Sequence, residues 1–125
     1  MADEVQEAFP HVEVALIEAN RKQEARRLTY LELLRESDRV ARYLEDAGVG
    51  GGDRVAICMG NQSKWIVAAC AVFSRGGVIV PVDYKLSPAE QLAQLAHCTP
   101  RCLITEWPVL MRYDLAALPA PHVLV

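Results

Sequence analysis

From Asp53 onward the chain alternates short, β-branched apolar runs with longer helical segments, and this alternation limits the fold more than any other feature. "RVAICM" (54–59), "VIVPV" (78–82) and "RCLIT" (101–105) have the length and composition of buried strands. Between them lie "KWIVAACAVFSR" (64–75), apolar on most of its surface, and "SPAEQLAQLAHCT" (87–99). Strands joined by helices of this length must pair parallel through right-handed crossovers, which cover both faces of the sheet. Residues 108–115 predict a short helix, and "HVLV" (122–125) a final strand.

Upstream, "VALIEANRKQEARRLTY" places two apolar runs around a charged stretch, the composition of a β-hairpin. Thr29 then stands three residues before Glu32, the spacing of a reciprocal capping box, so a helix is predicted from Tyr30. Tyr30, Leu33, Leu34, Val40, Ala41, Leu44 and Ala47 follow the spacing of one buried face, with Arg35, Glu36, Arg39, Arg42 and Glu45 mostly opposite. Gly48 ends the helix, because glycine enters the left-handed C′ conformation without a Cβ penalty. The same start signal recurs at Ser87, Pro88 and Glu90, and Gly76-Gly77 stops the helix before the strand predicted over 78–82 and expected to be buried. The expected fold is α/β: alternating βαβ units in a mainly parallel sheet, helices on both faces, preceded by a short β-hairpin. Residues 1–10 read as an N-terminal tail and 11–125 as one α/β unit.

"GVGGGDRVAICMGNQS" (48–63) invites a nucleotide reading. A dinucleotide fingerprint needs its glycines after a strand and opening a helix, where N–H groups point at the pyrophosphate. Here the order is reversed, and Asp53 stands where the third glycine of GxGxxG belongs. Gly48 to Gly52 therefore read as a helix cap and tight turn.

The balance of 13 Lys+Arg against 16 Asp+Glu gives no electrostatic reason to bind nucleic acid or an anionic membrane. "MADEVQEAFP" lacks the order of a secretory signal, and the longest strictly apolar run, 65–73, is too short to cross a bilayer. The chain reads as soluble and cytoplasmic. Its cysteines, Cys58, Cys70, Cys98 and Cys102, contain no CxxC pair. In "HCTPRC" His97, Cys98 and Cys102 are close in sequence, yet Cys98 ends a helix and Cys102 heads a strand, so both read as reduced, partly buried thiols.

In an open α/β sheet, ligands bind beyond the carboxyl ends of the strands. The residues expected there are Asn61 and Ser63, Asp83 and Lys85, and Thr105 and Glu106. Asp83 ends a strand as a phospho-acceptor would, but Gly60-Asn61 supplies none of the further carboxylates that would hold Mg²⁺. There is no GxSxG or GxxxxGK[ST] motif, and His11, His97 and His122 fall in separate segments. "NQS" reads as a turn into a helix capped near Ser63. No catalytic, cofactor-binding or metal-binding residue is assigned.

Four stretches carry a family resemblance. "LTYLEL" (28–33) resembles the first core motif of the acyl-adenylate-forming enzymes, which include acyl-CoA synthetases, peptide-synthetase adenylation domains and luciferases. "FSRGGVIVPVD" (73–83) is similar to their second, with Arg75 in place of a small residue and Gly77-Val78-Ile79 in place of a small-then-aromatic pattern. "AGVGGGDRVAICMGNQSKWIVAACAVFSRGG" and "LSPAEQLAQLAHCTPRCLIT" resemble the segments between and after them. The resemblance spans roughly Val12 to Val125 and implies the N-terminal α/β portion of a longer enzyme. Its implied reaction joins a carboxylate to ATP, releasing pyrophosphate, and then passes the acyl group to a thiol such as CoA. That parent would use ATP, Mg²⁺ and CoA. The family's phosphate loop, ribose-binding aspartate, hinge and C-terminal lysine are not among these residues, so no family catalytic residue transfers. The chain alone is expected to be inactive, with the remainder of the enzyme as its partner and self-association of the isolated piece. A stand-alone α/β ligand- or protein-binding module is the alternative.

Overall fold

The computed structural model describes residues 14–20, 23–60 and 62–125. Strands β1 (Val14–Asn20) and β2 (Gln23–Thr29) form the expected antiparallel hairpin, with Asn20 opposite Gln23. Helix α1 (Tyr30–Asp46) follows directly. Its capping box is formed: Thr29 Oγ1 accepts the Glu32 N–H at 3.1 Å while Glu32 Oε1 accepts the Thr29 N–H at 3.3 Å.

The remaining strands, β3 (Arg54–Cys58), β4 (Val78–Pro81), β5 (Cys102–Thr105) and β6 (His122–Leu124), build one sheet in the order β4-β3-β5-β6. All its pairs are parallel. Helices α2 (Ser63–Ser74), α3 (Pro88–Cys98) and the single turn α4 (Trp107–Leu110) make the connections, with a 3₁₀ turn at Leu115–Ala117 before β6. Strand alternation splits the core in two. Val55, Ile57, Cys102 and Ile104 pack under α1 and α2 with Leu44, Ala68 and Val72. Ala56, Cys58 and Leu103 pack on the other face with Leu95 of α3, Val109, Leu110 and Tyr113. Helices on both faces are thus what the alternation required.

Helices α1 and α2, each leading into a strand of the sheet, end in the same hydrogen-bonded motif. The Gly48 N–H reaches the Glu45 carbonyl and the Val49 N–H the Leu44 carbonyl. Likewise the Gly76 N–H reaches Phe73 and the Gly77 N–H reaches Val72. This is the Schellman pattern, which needs a left-handed C′ residue, here Gly48 at φ 78° and Gly76 at φ 71°.

Four expectations need correction. Tyr30 and Leu34, assigned to the buried face of α1, are 55% and 66% exposed. A helix of 17 residues is about 25 Å long whereas strands of four or five residues span about 13–17 Å, so with its C-terminus tied into β3 the N-terminal turns of α1 overhang the sheet. The strand expected to be buried over 78–82 is the sheet edge: Val78 is 47% exposed and only Val82, beyond the strand, is buried. Pro81, which has no N–H to donate, is tolerated at such an edge. The helix expected over 108–115 is only the single turn α4, which starts one residue earlier at Trp107, and Asp114 restarts the chain as the 3₁₀ turn by accepting the Ala116 N–H at 3.1 Å. Ser63 is the first residue of α2 and not its cap: Gln62 holds that position without a side-chain capping bond.

Candidate functional site: the switch-point cleft

From β3 the chain moves to β4 on one side, then crosses back to β5 and β6 on the other. The order therefore reverses between β3 and β5, and the crevice beyond their carboxyl ends is where open α/β sheets bind ligands. Thr105 and Glu106 stand at the end of β5, facing the turn that follows β3. Thr105 is buried and its Oγ1 donates to the Cys58 carbonyl at 2.6 Å. Glu106 reaches farther: Oε1 accepts the Gly60 N–H at 3.3 Å and Oε2 accepts the Gln62 side-chain amide at 2.8 Å.

Beside this clasp a cleft of about 340 Å³ opens between α1, α2 and the strand ends. Met59, Val67, Ile104 and Leu124 give it an apolar lining, and Glu36, Arg39 and Lys64 bring charge to it. Its size and apolar character are those of a small-molecule site.

On the other side of β3, Asp83 and Lys85 follow β4. Asp83 is exposed, and its Oδ1 accepts the Lys85 N–H at 2.9 Å, the bond of a local turn. The Tyr84 ring lies over the β3–α2 turn, 3.7 Å from where a Cβ on Gly60 would be. Beneath runs a buried polar chain that sequence reasoning missed. Tyr113 Oη donates to Gln91 Oε1 at 2.7 Å, and Gln91 Nε2 donates to the Asp83 carbonyl at 3.1 Å. The Cys58 Sγ lies 3.8 Å from the same phenol oxygen. Gln91 is fully buried. Burial, and next the Cys58 sulfur, push the Tyr113 phenol well above its ordinary range. Burial also raises the Cys58 thiol, partly offset by the Tyr113 hydrogen bond.

A second cleft, about 390 Å³, lies at the opposite, N-terminal ends of the strands and is lined by Asp53, Arg54, Thr99 and Arg101. Helices α1 and α3 both point their C-termini toward this end, and a helix C-terminus carries partial negative charge. The two arginines complement that charge: Arg54 donates to Thr99 Oγ1 at 3.0 Å, and Arg101 packs against Gly48. The glycine-rich loop sits here too. Two of its donors are used internally, the Gly50 N–H by Asp53 Oδ2 at 2.8 Å and the Gly52 N–H by the Gly76 carbonyl at 2.9 Å. The glycines shape backbone bends, as their order in the sequence implies.

Of the residues expected at the strand ends, the structure brings Thr105 and Glu106 against the β3–α2 turn, buries Ser63, and leaves Asp83 and Lys85 on a separate, exposed turn. Asn61 and His11 lie outside the described residues. His97 and His122 stand on different elements, α3 and β6. Among the described residues no group of three His, Cys, Asp or Glu could hold a metal ion. Asp83 and Glu106 stand on separate turns and both Glu106 oxygens accept protein donors, so these residues do not by themselves fit a Mg²⁺–nucleotide site. Cys98 and Cys102 are free thiols, and desolvation raises both, Cys102 to about 11. What the arrangement offers is a shaped, apolar cleft with a clasped rim.

A family model described as AMP-binding enzyme matches residues 3–124. The chain belongs to this family. The AMP-binding relatives it resembles include 2-succinylbenzoate–CoA ligase of Bacillus licheniformis, 33% identical over 84 residues, 67% of this chain and 18% of that protein. A fatty acid–[acyl-carrier-protein] ligase of Streptomyces coeruleorubidus is 41% identical over 86 residues, 66% of this chain and 16% of the relative. Among solved structures, O-succinylbenzoate coenzyme A synthetase from Bacillus subtilis, in complex with AMP, superposes with a TM-score of 0.75 at 25% identity. That match covers 98% of this chain and 30% of the other. An anthranilate CoA ligase in complex with anthranoyl-AMP shares the fold at a TM-score of 0.80 and 22% identity, over 97% of this chain and 23% of its own. The chain spans less than a third of the length of these proteins. No described helix is long and apolar enough to cross a membrane.

Proposed function

We propose that these residues are the N-terminal scaffold of an AMP-forming acid–thiol ligase of the acyl-CoA synthetase type. The parent joins a carboxylate to ATP, giving acyl-adenylate and pyrophosphate, then transfers the acyl group to the CoA thiol with release of AMP. The observation that carries this reading is the family match across residues 3–124. Its relatives include CoA ligases and a fatty acid–[acyl-carrier-protein] ligase, and of the two thiols CoA is taken as the acceptor. ATP, Mg²⁺ and CoA are the parent's cofactors, held by residues other than those described. Fatty, aromatic and amino acids all remain as substrates. The four free cysteines suit the reducing cytoplasm.

In this role the 125 residues contribute a rigid βαβ layer and no reacting group. ATP–pyrophosphate exchange tests it, run with a panel of carboxylic acids on the polypeptide of the complete reading frame and on residues 1–125 alone. Exchange is expected from the first, followed by thioester formation with CoA, and none from the second. Turnover by the 125-residue chain would overturn the scaffold role. Transfer only to a carrier-protein thiol would replace the acceptor.

A further inference from the structure

We propose that Glu106 is a positioning residue that latches the switch point, holding the β3–α2 turn against the end of β5 and so setting how far the adjoining cleft opens. Three observations support it. Thr105, the last residue of β5, and Glu106 after it both reach across: Thr105 holds the Cys58 carbonyl of β3, and Glu106 holds the Gly60 N–H and the Gln62 amide beyond it. The strands part at this point, since ladder pairing of β3 with β5 stops at Cys58 and Thr105, and beyond it the Glu106 side chain makes the contact from β5 to the turn. And the N-cap of α2, Gln62, makes no capping bond of its own, leaving its side chain committed to Glu106.

The latch bears on the cleft directly. Met59 and Lys64, which flank the clasped residues, and Thr105, which precedes Glu106, all line it. It bears on the opposite face as well, because Glu106 is the N-cap residue of α4, whose segment continues to Tyr113 over the Cys58 sulfur. Glu106 is near enough to Cys58 for its charge to contribute to the raised thiol pKa. Glu106 makes no side-chain cap to α4, so truncating it removes the latch without removing a helix cap. The role stands on this geometry and is independent of which acid the parent activates.

Cysteine modification tests it on the chain as it is. Cys58 ends β3 beside the latch, while Cys102, equally buried, begins β5 at the far end of the sheet and serves as an internal reference for global unfolding. N-ethylmaleimide labelling in native buffer, resolved by peptide mass spectrometry, gives the ratio of the two rates. Glu106→Ala is expected to raise the Cys58:Cys102 ratio by about tenfold, the scale of lost hydrogen bonds in a local opening. Gln62→Ala, which removes one bond from the other side, should raise it less and add nothing in the Glu106→Ala background. An unchanged ratio in both variants, whether the two rates rise together or not at all, would overturn the latch, as would full additivity of the two substitutions.

Discussion

Thr29 shows how much one side chain can organise. It is fully buried, it ends β2, and its hydroxyl caps α1, so it joins hairpin to helix at a single residue. Thr29→Ala is expected to cost about 0.5–2 kcal/mol, read as a lower urea midpoint at unchanged slope. Ser37 presents the opposite case. Its hydroxyl is buried in the middle of α1 without a hydrogen-bond partner, and an unmatched buried polar group is unfavourable. Ser37→Ala should therefore leave stability unchanged or raise it by up to about 1 kcal/mol, through relieved desolvation and better helix propensity. Cys102 brings a pH dependence. Burial raises its thiol from 9.0 to about 11, so below 9.0 folded and unfolded chains are both protonated and the contribution is fully present. As pH climbs toward 11 the unfolded thiol ionises first and stability falls. Thermal melts between pH 8 and 11 should show that fall, and Cys102→Ala, whatever its cost at neutral pH, should make it shallower, the raised Cys58 and Cys98 thiols contributing the remainder.

At the scale of elements, the glycines separate into those the fold needs and those it does not. Gly77 follows α2, where an added Cβ would lie 2.9 Å from Val72 Cγ1 and 3.2 Å from the Asp53 carbonyl. Gly77→Ala should destabilise by about 1–3 kcal/mol, the range for overpacking a tight site. Gly50 has nothing within 4 Å of its Cβ position and no left-handed φ. Gly50→Ala should stay within about 0.5 kcal/mol. Chemical denaturation of the two variants side by side measures the contrast, and a large loss at Gly50 would contradict the reading of that loop as a simple bend. The same scale explains the overhang of α1 and the exposure of β4. Hydrophobic spacing shows which way a helix faces, but where the sheet beneath it stops depends on strands elsewhere in the chain.

For the whole molecule, exposed apolar side chains occur on several elements: Tyr30, Leu31 and Leu34 on α1, Ile66 and Phe73 on α2, Val78 on β4, and Trp107, Met111 and Leu115 ahead of β6. With β4 and β6 both at sheet edges, the isolated chain is expected to self-associate. Sedimentation velocity over a concentration series checks this, and a clean monomer at high concentration would count against it. Residues near in sequence were enough to specify the strands and the longer helices, though not the broken segment 107–117, because caps, glycine stops and apolar periodicity act over a few positions. They specified the parallel layer as well, since helices between strands leave no other pairing. The sheet order could not be read this way. Which edge each crossover chose decided that β4 lies outside, that β3 and β5 adjoin at the reversal, and that Glu106 meets Gly60 and Gln62 across 46 and 44 positions. Gln91 and Tyr113 follow the same rule: their pairing is 22 residues apart, and no local pattern marks either as buried. The local grammar of the sequence determined the elements and their family, whereas the clasped cleft exists only because tertiary packing set distant side chains within hydrogen-bond reach.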